Sequence, residues 1–377
     1  MATSGGRARF DVDPRTVLTL DAGGTKLAFS ALRGGREVVP PVTRPAPGAD
    51  LEAWLEAIAG GFAQARAAAG GADAISFAFP GPADYREGII GDLWNLPFFR
   101  GGVALGPMLE ERFSVPVFIN NDGDLFAYGE SIGGLLPEVN AALEAAGSPK
   151  RFRNLLGFTL GTGFAGGIVA GGRLLLGDNS AAGEAWLLRH KRERDLSAEE
   201  GASIRAVRRA YAHAAGLPFE SAPDPRDIHA IAEGRAKGDA AAAREAFRAL
   251  GEIAGDAIAN ALTLVDGLVV LGGGLAGAAP LFLPALLAEL NSTLGRADGA
   301  RVPRLELRAF DLEDPEQRAA FLKGAPRTAK VPRSDRVAPY DPFKRTGVGL
   351  TRLGTSRAVA LGAYAFALDA LDGRGTA

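Results

Sequence analysis

Apolar positions along this chain fall into two patterns: short runs that stop at glycine, and longer stretches where they recur every three or four residues. The first run, Val17 to Leu20, meets Asp21-Ala-Gly-Gly-Thr-Lys26, and alternation then resumes with Leu27, Phe29 and Ala31 on one face. Period two on both sides of the glycines predicts strand, turn, strand. In a P-loop or a dinucleotide-binding loop a helix follows the glycines, so those readings are excluded. Two remain: an ordinary Gly-Gly hairpin, or a turn whose bare backbone amides receive a phosphate.

The second pattern predicts helices. After a proline-rich turn Asp50 is placed to cap a helix to about Ala69, with Leu51, Trp54, Leu55, Ile58 and Phe62 at helical spacing. Further helices are expected over about 203–215, 227–237, 241–264 and 280–294, and a closing one over 356–371 that is apolar all round. Between them lie Ala74–Phe79, a buried strand ending in Pro80-Gly-Pro82, and Gly88–Pro97, a loop carrying Asn95. Val115–Asn120 reads as a strand that stops at Asn121-Asp122-Gly-Asp124, where a helix starts. That places Asp122 at a strand's C-terminal end, where it faces a ligand, or else the Asn or Asp there simply caps the helix.

The opening arrangement then returns. Leu155–Leu160 meets Gly161-Thr162-Gly163 and a second strand through Gly167, Gly171-Gly172 turns, and a third strand begins. Two strand-glycine-strand units about 140 residues apart suggest a duplicated plan. A third strand ends in Gly272-Gly273-Gly274, Gly183-Glu184 closes a glycine-rich loop, and the charged run His190–Asp195 reads as a solvated face. Residues 311–354 are polar, basic and proline-rich, and are expected to be an insertion or long loop.

Composition changes this picture in a few places. At 377 residues, two lobes are the default. The expected division is an arm over 1–15, a small lobe from 16–130 plus 356–377, and a large lobe from 131–355. A net charge of −2 gives no reason to expect nucleic acid or a membrane surface as partner. No apolar run approaches ~20 residues and no signal-peptide core is present, so a cytoplasmic protein is the simplest inference. Zero cysteines exclude disulfides and thiolate metal sites.

Taken together, these stretches resemble the ROK family of sugar kinases and repressors within the actin-like ATPases, over Val17 to about Leu294 and again in the last helix. The resemblance implies an α/β fold: two lobes of the actin-like, ribonuclease H-like type, mixed sheets flanked by helices, and a cleft between lobes. It implies ATP contacts at Asp21, Gly23, Gly24, Thr25 and Lys26, at Gly161, Thr162 and Gly163, and at the adenosine loop Gly272, Gly273 and Gly274. Asn121-Asp122 matches the family's catalytic pair, with Asp122 as base; Asn95, Asn121, Asp122, Glu184 and Glu199 are then the sugar contacts, with Glu200 a rival for the last. Asp21 is placed to hold Mg2+ through water. The expected reaction is phosphorylation of a hexose or hexose derivative, at O6, and the family suggests a homodimer.

Two departures bear on the sugar side. The family's histidine after Gly-Glu is Leu187 here, and the cysteine-rich zinc loop cannot exist without cysteine, so no structural zinc is expected. Competing functions are a sugar-responsive repressor, a non-catalytic sugar sensor and an actin-like ATPase with another acceptor. About 20 residues before Asp21 are too few for a helix-turn-helix.

Overall fold

The computed structural model describes residues 9–22, 26–93 and 96–374. Its strands and helices run, in chain order, β1 (Val17–Ala22), β2 (Lys26–Arg33), β3 (Arg36–Glu37), β4 (Val42–Pro45), α1 (Leu51–Ala69), β5 (Ala74–Ala78), β6 (Ala83–Asp84), β7 (Ile89–Ile90), α2 (Leu105–Phe113), β8 (Val117–Asn120) and α3 (Asp122–Gly133). There follow α4 (Leu135–Ala145), β9 (Leu155–Leu160), β10 (Phe164–Ala170), β11 (Arg173–Leu174), α5 (Ile204–Ala214), α6 (Pro225–Ala232), α7 (Ala240–Leu264), β12 (Leu268–Gly272) and α8 (Ala279–Leu290). The remainder is β13 (Thr293–Gly295), β14 (Arg301–Pro303), β15 (Arg308–Asp311), α9 (Pro315–Lys323), β16 (Arg327–Lys330), β17 (Val337–Tyr340), β18 (Arg345–Leu350) and α10 (Thr355–Leu371). Two compact units result: Met1–Gly134 with Gly167–Gly183 and Arg352–Ala377, and Leu135–Gly166 with Glu184–Thr351.

In the first unit the sheet order is β3-β2-β1-β5-β8, with β4 on β2. β1 and β2 are antiparallel from Val17↔Leu32 to Ala22↔Leu27, while β5 and β8 add in parallel. Strands buried on both faces read as continuous apolar runs, which is why Ala74–Phe79 was visible. Asp50 accepts from the Ala53 amide at the start of α1, and Gly70 ends that helix in the left-handed conformation. Gly61 lets α1 seat on the sheet, since a Cβ there would lie 2.1 Å from the Phe29 ring. The same sheet is packed by α10, which also lies along α3. Those two helices touch backbone to backbone: a Cβ at Gly129 would sit 1.9 Å from Ala358 O, and one at Gly362 2.0 Å from Leu125 O. Glu130, fully buried on α3, accepts from the amides of Arg352 (3.1 Å) and Leu353 (3.0 Å) ahead of α10. Residues 9–15 are not a loose arm: Phe10 is buried, Arg9 pairs with Asp369, and Arg15 with Asp372.

The second sheet runs β11-β10-β9-β12-β18-β15, with β12 parallel to both β9 and β18. Helices α5, α6 and α8 pack on the long α7, and Gly251 and Gly255 of α7 bring the backbone of α8 close enough that a Cβ would reach Phe282 O at 2.1 Å and Leu286 O at 2.8 Å. The expected loop over 311–354 is corrected here. It contains α9, the fully exposed β16–β17 hairpin, and β18, a core strand between β12 and β15. Its polar look has a physical cause. Arg345, 1% exposed, is neutralised by Asp341 (2.6 Å) and donates to the carbonyls of Phe321 (2.6 Å) and Phe343 (3.2 Å). Gly347 and Gly349 replace the side chains that would have signalled a strand, because a Cβ there would meet Leu312 at 2.6 Å or Leu135 at 2.8 Å. Helices α6 and α8 also stop short of expectation, at Ala232 and Leu290. No helix among the described residues is long and apolar enough to cross a membrane.

Candidate active site

In the first unit β8 delivers Asn121 and Asp122 to the start of α3. Asn121 is the N-cap, its side chain accepting from the Gly123 amide at 2.8 Å, and Asp122 Oδ1 accepts from the same amide at 3.0 Å. The cap and the functional reading of this pair are therefore compatible. The Asp122 side chain keeps solvent-exposed surface, yet the protein gathered around it disfavours the charged form. That burial pushes its carboxyl above the usual carboxylate range, against the lowering effect of the Gly123 amide and its own. Gly167 packs against the same helix start: a Cβ there would lie 2.3 Å from Gly123 O. Asp21 and Lys26 stand exposed at facing ends of β1 and β2, and neither has an ion pair among the described residues. Gly23, Gly24, Thr25 and Asn95 lie outside the described residues.

The second unit brings two glycine turns together. Gly161–Gly163 joins β9 to β10, held by Gly161 N to Gly163 O (3.0 Å) and by the first amide of α5, Ile204 N, on Gly161 O (2.8 Å). Gly272–Gly274 leaves β12 beside it, with Leu275 N donating to Leu160 O at 2.9 Å. Gly273, at φ +87°, lies so close to β9 that a Cβ would be 2.3 Å from Leu160 O. Among the described residues no hydrogen bond uses the amide N–H of Thr162, Gly163 or Gly274. Neighbouring unpartnered amides on turns without bulky side chains form an anion-binding concavity.

One acidic turn borders the first of these glycine turns, and a second packs on it. Glu199, in the 3₁₀ turn Ala198–Glu200, accepts from Phe164 N at 3.1 Å, and a Cβ on Gly163 would be 2.6 Å from its Oε2. Glu200 is engaged elsewhere: burial alone would raise its carboxyl, but Arg209 and Arg205 hydrogen-bond to it and hold it below the usual range. This separates the two glutamates, leaving Glu199 at the glycine turn. The 3₁₀ turn Ala185–Leu187 packs on the one carrying Glu199, and at its head Glu184 accepts from the indole N–H of Trp186.

The run from His190 is only partly a solvated face. His190 is 5% exposed, its Nδ1 accepts from the amides of Arg192 (3.2 Å) and Glu193 (3.0 Å), and burial pushes its imidazole below its ordinary value. The loop around it closes as a bridged hairpin, Arg189 opposite Ser197, and Arg192 holds the Glu252 carboxyl of α7 down to about 2. Sequence reasoning missed His190 and Trp186. The available signal for the latter was a tryptophan two residues after a glutamate in a glycine-rich loop.

Comparison with known proteins places the chain in one family. The ROK family profile matches residues 17–317. A glucokinase structure from Parabacteroides distasonis ATCC 8503 is 50% identical, covering 96% of this chain and 99% of that one, with a TM-score of 0.87. A ROK family glucokinase from Streptomyces griseus, solved with glucose and AMPPNP, is 21% identical over 92% of this chain and 98% of its own, with a TM-score of 0.58, which speaks to fold alone. An N-acetyl-D-glucosamine kinase from Escherichia coli O9:H4 (strain HS) is 27% identical over 322 residues, 80% of this chain and 97% of that protein. With two mixed sheets in the expected α/β arrangement and the family profile running through both, the chain belongs to the ROK family and is a sugar kinase of the hexokinase/glucokinase type.

Proposed function

We propose that this protein transfers the γ-phosphate of ATP to a hexose hydroxyl, with O6 as the acceptor. The observation that carries the nucleotide half is the set of unpartnered amides of Thr162, Gly163 and Gly274 in adjacent turns. These would hold phosphate oxygens, with the Thr162 hydroxyl beside them, while Gly272 and Gly273 leave room for the adenosine. Asp21, exposed and without an ion pair among the described residues, would hold Mg2+ through water. Lys26 would add positive charge near the phosphates, and Gly23, Gly24 and Thr25 would complete the first turn. When bound, the metal neutralises charge developing on the transferred group.

Asp122 accepts the proton of the attacking hydroxyl. Its raised pKa suits a base that must both take and return a proton, and its place at the first turn of α3 fixes its direction. Asn95, Asn121, Glu184 and Glu199 would bind ring hydroxyls, and polar groups covered by a bound sugar reject an epimer that leaves them unpaired. The identity to a glucokinase supports a hexose, and the N-acetyl-D-glucosamine kinases keep amino sugars in the comparison. An ADP-release assay across hexoses, N-acetylhexosamines and fructose tests the reading. Turnover stimulated by one sugar supports it; hydrolysis indifferent to sugar points to an ATPase, and no turnover with retained sugar binding to a sensor.

A further inference from the structure

We infer that the Trp186 indole is the stacking platform for the substrate's pyranose ring, tethered to Glu184 so that one apolar face and one carboxylate oxygen act as a unit. The inference rests on the sugar-kinase reading above and specifies how that sugar is recognised.

Trp186 is 40% exposed and Leu187 59%, whereas Trp54 in the core is 5% exposed. No ring among the described residues stacks on Trp186. A lone exposed apolar side chain is ordinary. Three features set this one apart. The turn beneath it is fixed, by Leu187 N on Glu184 O and Leu188 N on Ala185 O, both at 3.1 Å, and by the buried Ala185. Its indole N–H is spent on Glu184 Oε2, so the ring is held rather than swinging on the surface. The same turn packs on the one that presents Glu199.

The chemistry of such a group is specific. An indole face carries negative quadrupole charge and a large apolar area. A pyranose with equatorial hydroxyls presents faces made only of C–H bonds, apolar and slightly positive, that cover such a ring. A carboxylate accepts and never donates, so with Oε2 taken by the indole, Oε1 is left to read one hydroxyl at the edge of the stacked sugar. An axial hydroxyl on the stacked face would lift the ring from the indole. The platform therefore favours glucose-configured rings over axial epimers.

The test compares W186A and W186F with the unaltered protein. W186A should raise the KM for the preferred hexose about 3- to 10-fold, with kcat within about threefold and the ATP KM unmoved, as loss of one aromatic stack implies. W186F keeps a flat face and should lose less. Adding the hexose without ATP should change tryptophan emission in the unaltered protein, and this change should be smaller in W186F, where Trp54 and Trp94 remain. The preference for glucose over an axial epimer should shrink in W186A. Hexose-dependent turnover with an unmoved KM in W186A, or an emission change of undiminished size in W186F, overturns this inference alone. Absence of turnover on any hexose in the unaltered protein overturns the kinase reading, and this with it.

Discussion

Set side by side, the two sheets share one plan and carry different chemistry at the ends of different strands of it. β2-β1-β5-β8 and β10-β9-β12-β18 are both a hairpin followed by two parallel neighbours. In the first, the outermost parallel strand runs straight into a helix, and the residues at the junction are Asn121 and Asp122, an amide and a carboxylate. In the second, the middle parallel strand ends in three glycines, and the neighbouring hairpin turn is Gly-Thr-Gly, so backbone amides stand where side chains would. A repeated scaffold thus offers one end suited to moving a proton and another suited to holding an anion. The difference lies in which strand end of the shared plan carries side chains and which carries bare backbone.

The sharpest way to break this comparison is Asp122→Asn. It should lower kcat by about 10²- to 10⁴-fold while leaving the sugar KM within a few-fold, and near-normal turnover would remove Asp122 as base. A pKa raised in the folded state means that the group's stability contribution is present below the ordinary carboxylate range and is lost as pH rises through the raised value. Above that raised value the charged Asp122 destabilises the fold, and there the Asn variant should melt at a higher temperature than the parent. The pH profile of kcat should rise through the same raised value.

Next in size is Asp341→Ala, which strands the buried Arg345 guanidinium. A loss of about 3 to 5 kcal/mol in denaturant unfolding is expected. A change within error would mean that β18 does not belong to the second sheet's core.

The glycine turns give a paired test. At Gly273 a side chain would need a left-handed backbone and would meet the Leu160 carbonyl, so Gly273→Ala should cost about 1 to 3 kcal/mol of stability as well as activity. At Gly163 the obstacle is only the far end of Glu199, which can swing away. Gly163→Ala should therefore leave the melting temperature nearly unmoved and raise a substrate KM. Equal losses of stability in the two variants would show that the turns differ less than their geometry says.

The smallest effect is expected from His190. Its folded-state pKa is depressed, so its contribution is complete above the ordinary imidazole value of 6.5 and is lost as pH falls through the lowered one. Burial is the main cause, with Arg192 and Arg209 adding to it and Glu193 and Glu200 opposing. The denaturation midpoint should drop between about pH 7.5 and about pH 5, and drop less in His190→Gln, whose amide oxygen still accepts but does not titrate.

Much of this scaffold could be read from residue order. Asp50 caps α1, the hairpin resumes period two after Lys26, and Asn121 caps α3, each because a local rule decides it. What escaped was decided by contacts far along the chain. β18 was hidden because its two glycines and its arginine are answered by Leu312, Leu135 and Asp341, none of which a local window can weigh. His190 looked solvated because five charged residues follow it, yet its ring fills the turn those residues make. The choice between Glu199 and Glu200 needed Phe164 and Arg209, 35 and 9 residues away. At the candidate site, residue types and order were readable, and the tether between Glu184 and Trp186 was not.

The packing of α10 on the first sheet sets an order of events during synthesis. The strands of that sheet emerge before the second unit, but α10, which packs on it and on α3, is made after it. At ~5 to 20 residues per second, the 217 residues from 135 to 351 take roughly 10 to 40 seconds to add. Through that interval the sheet face awaiting α10 is open, and Glu130 lacks the amides of Arg352 and Leu353. The first unit opens before the second and closes after it, so a nascent chain halted before Arg352 holds an uncovered apolar sheet, the kind of surface that chaperones retain.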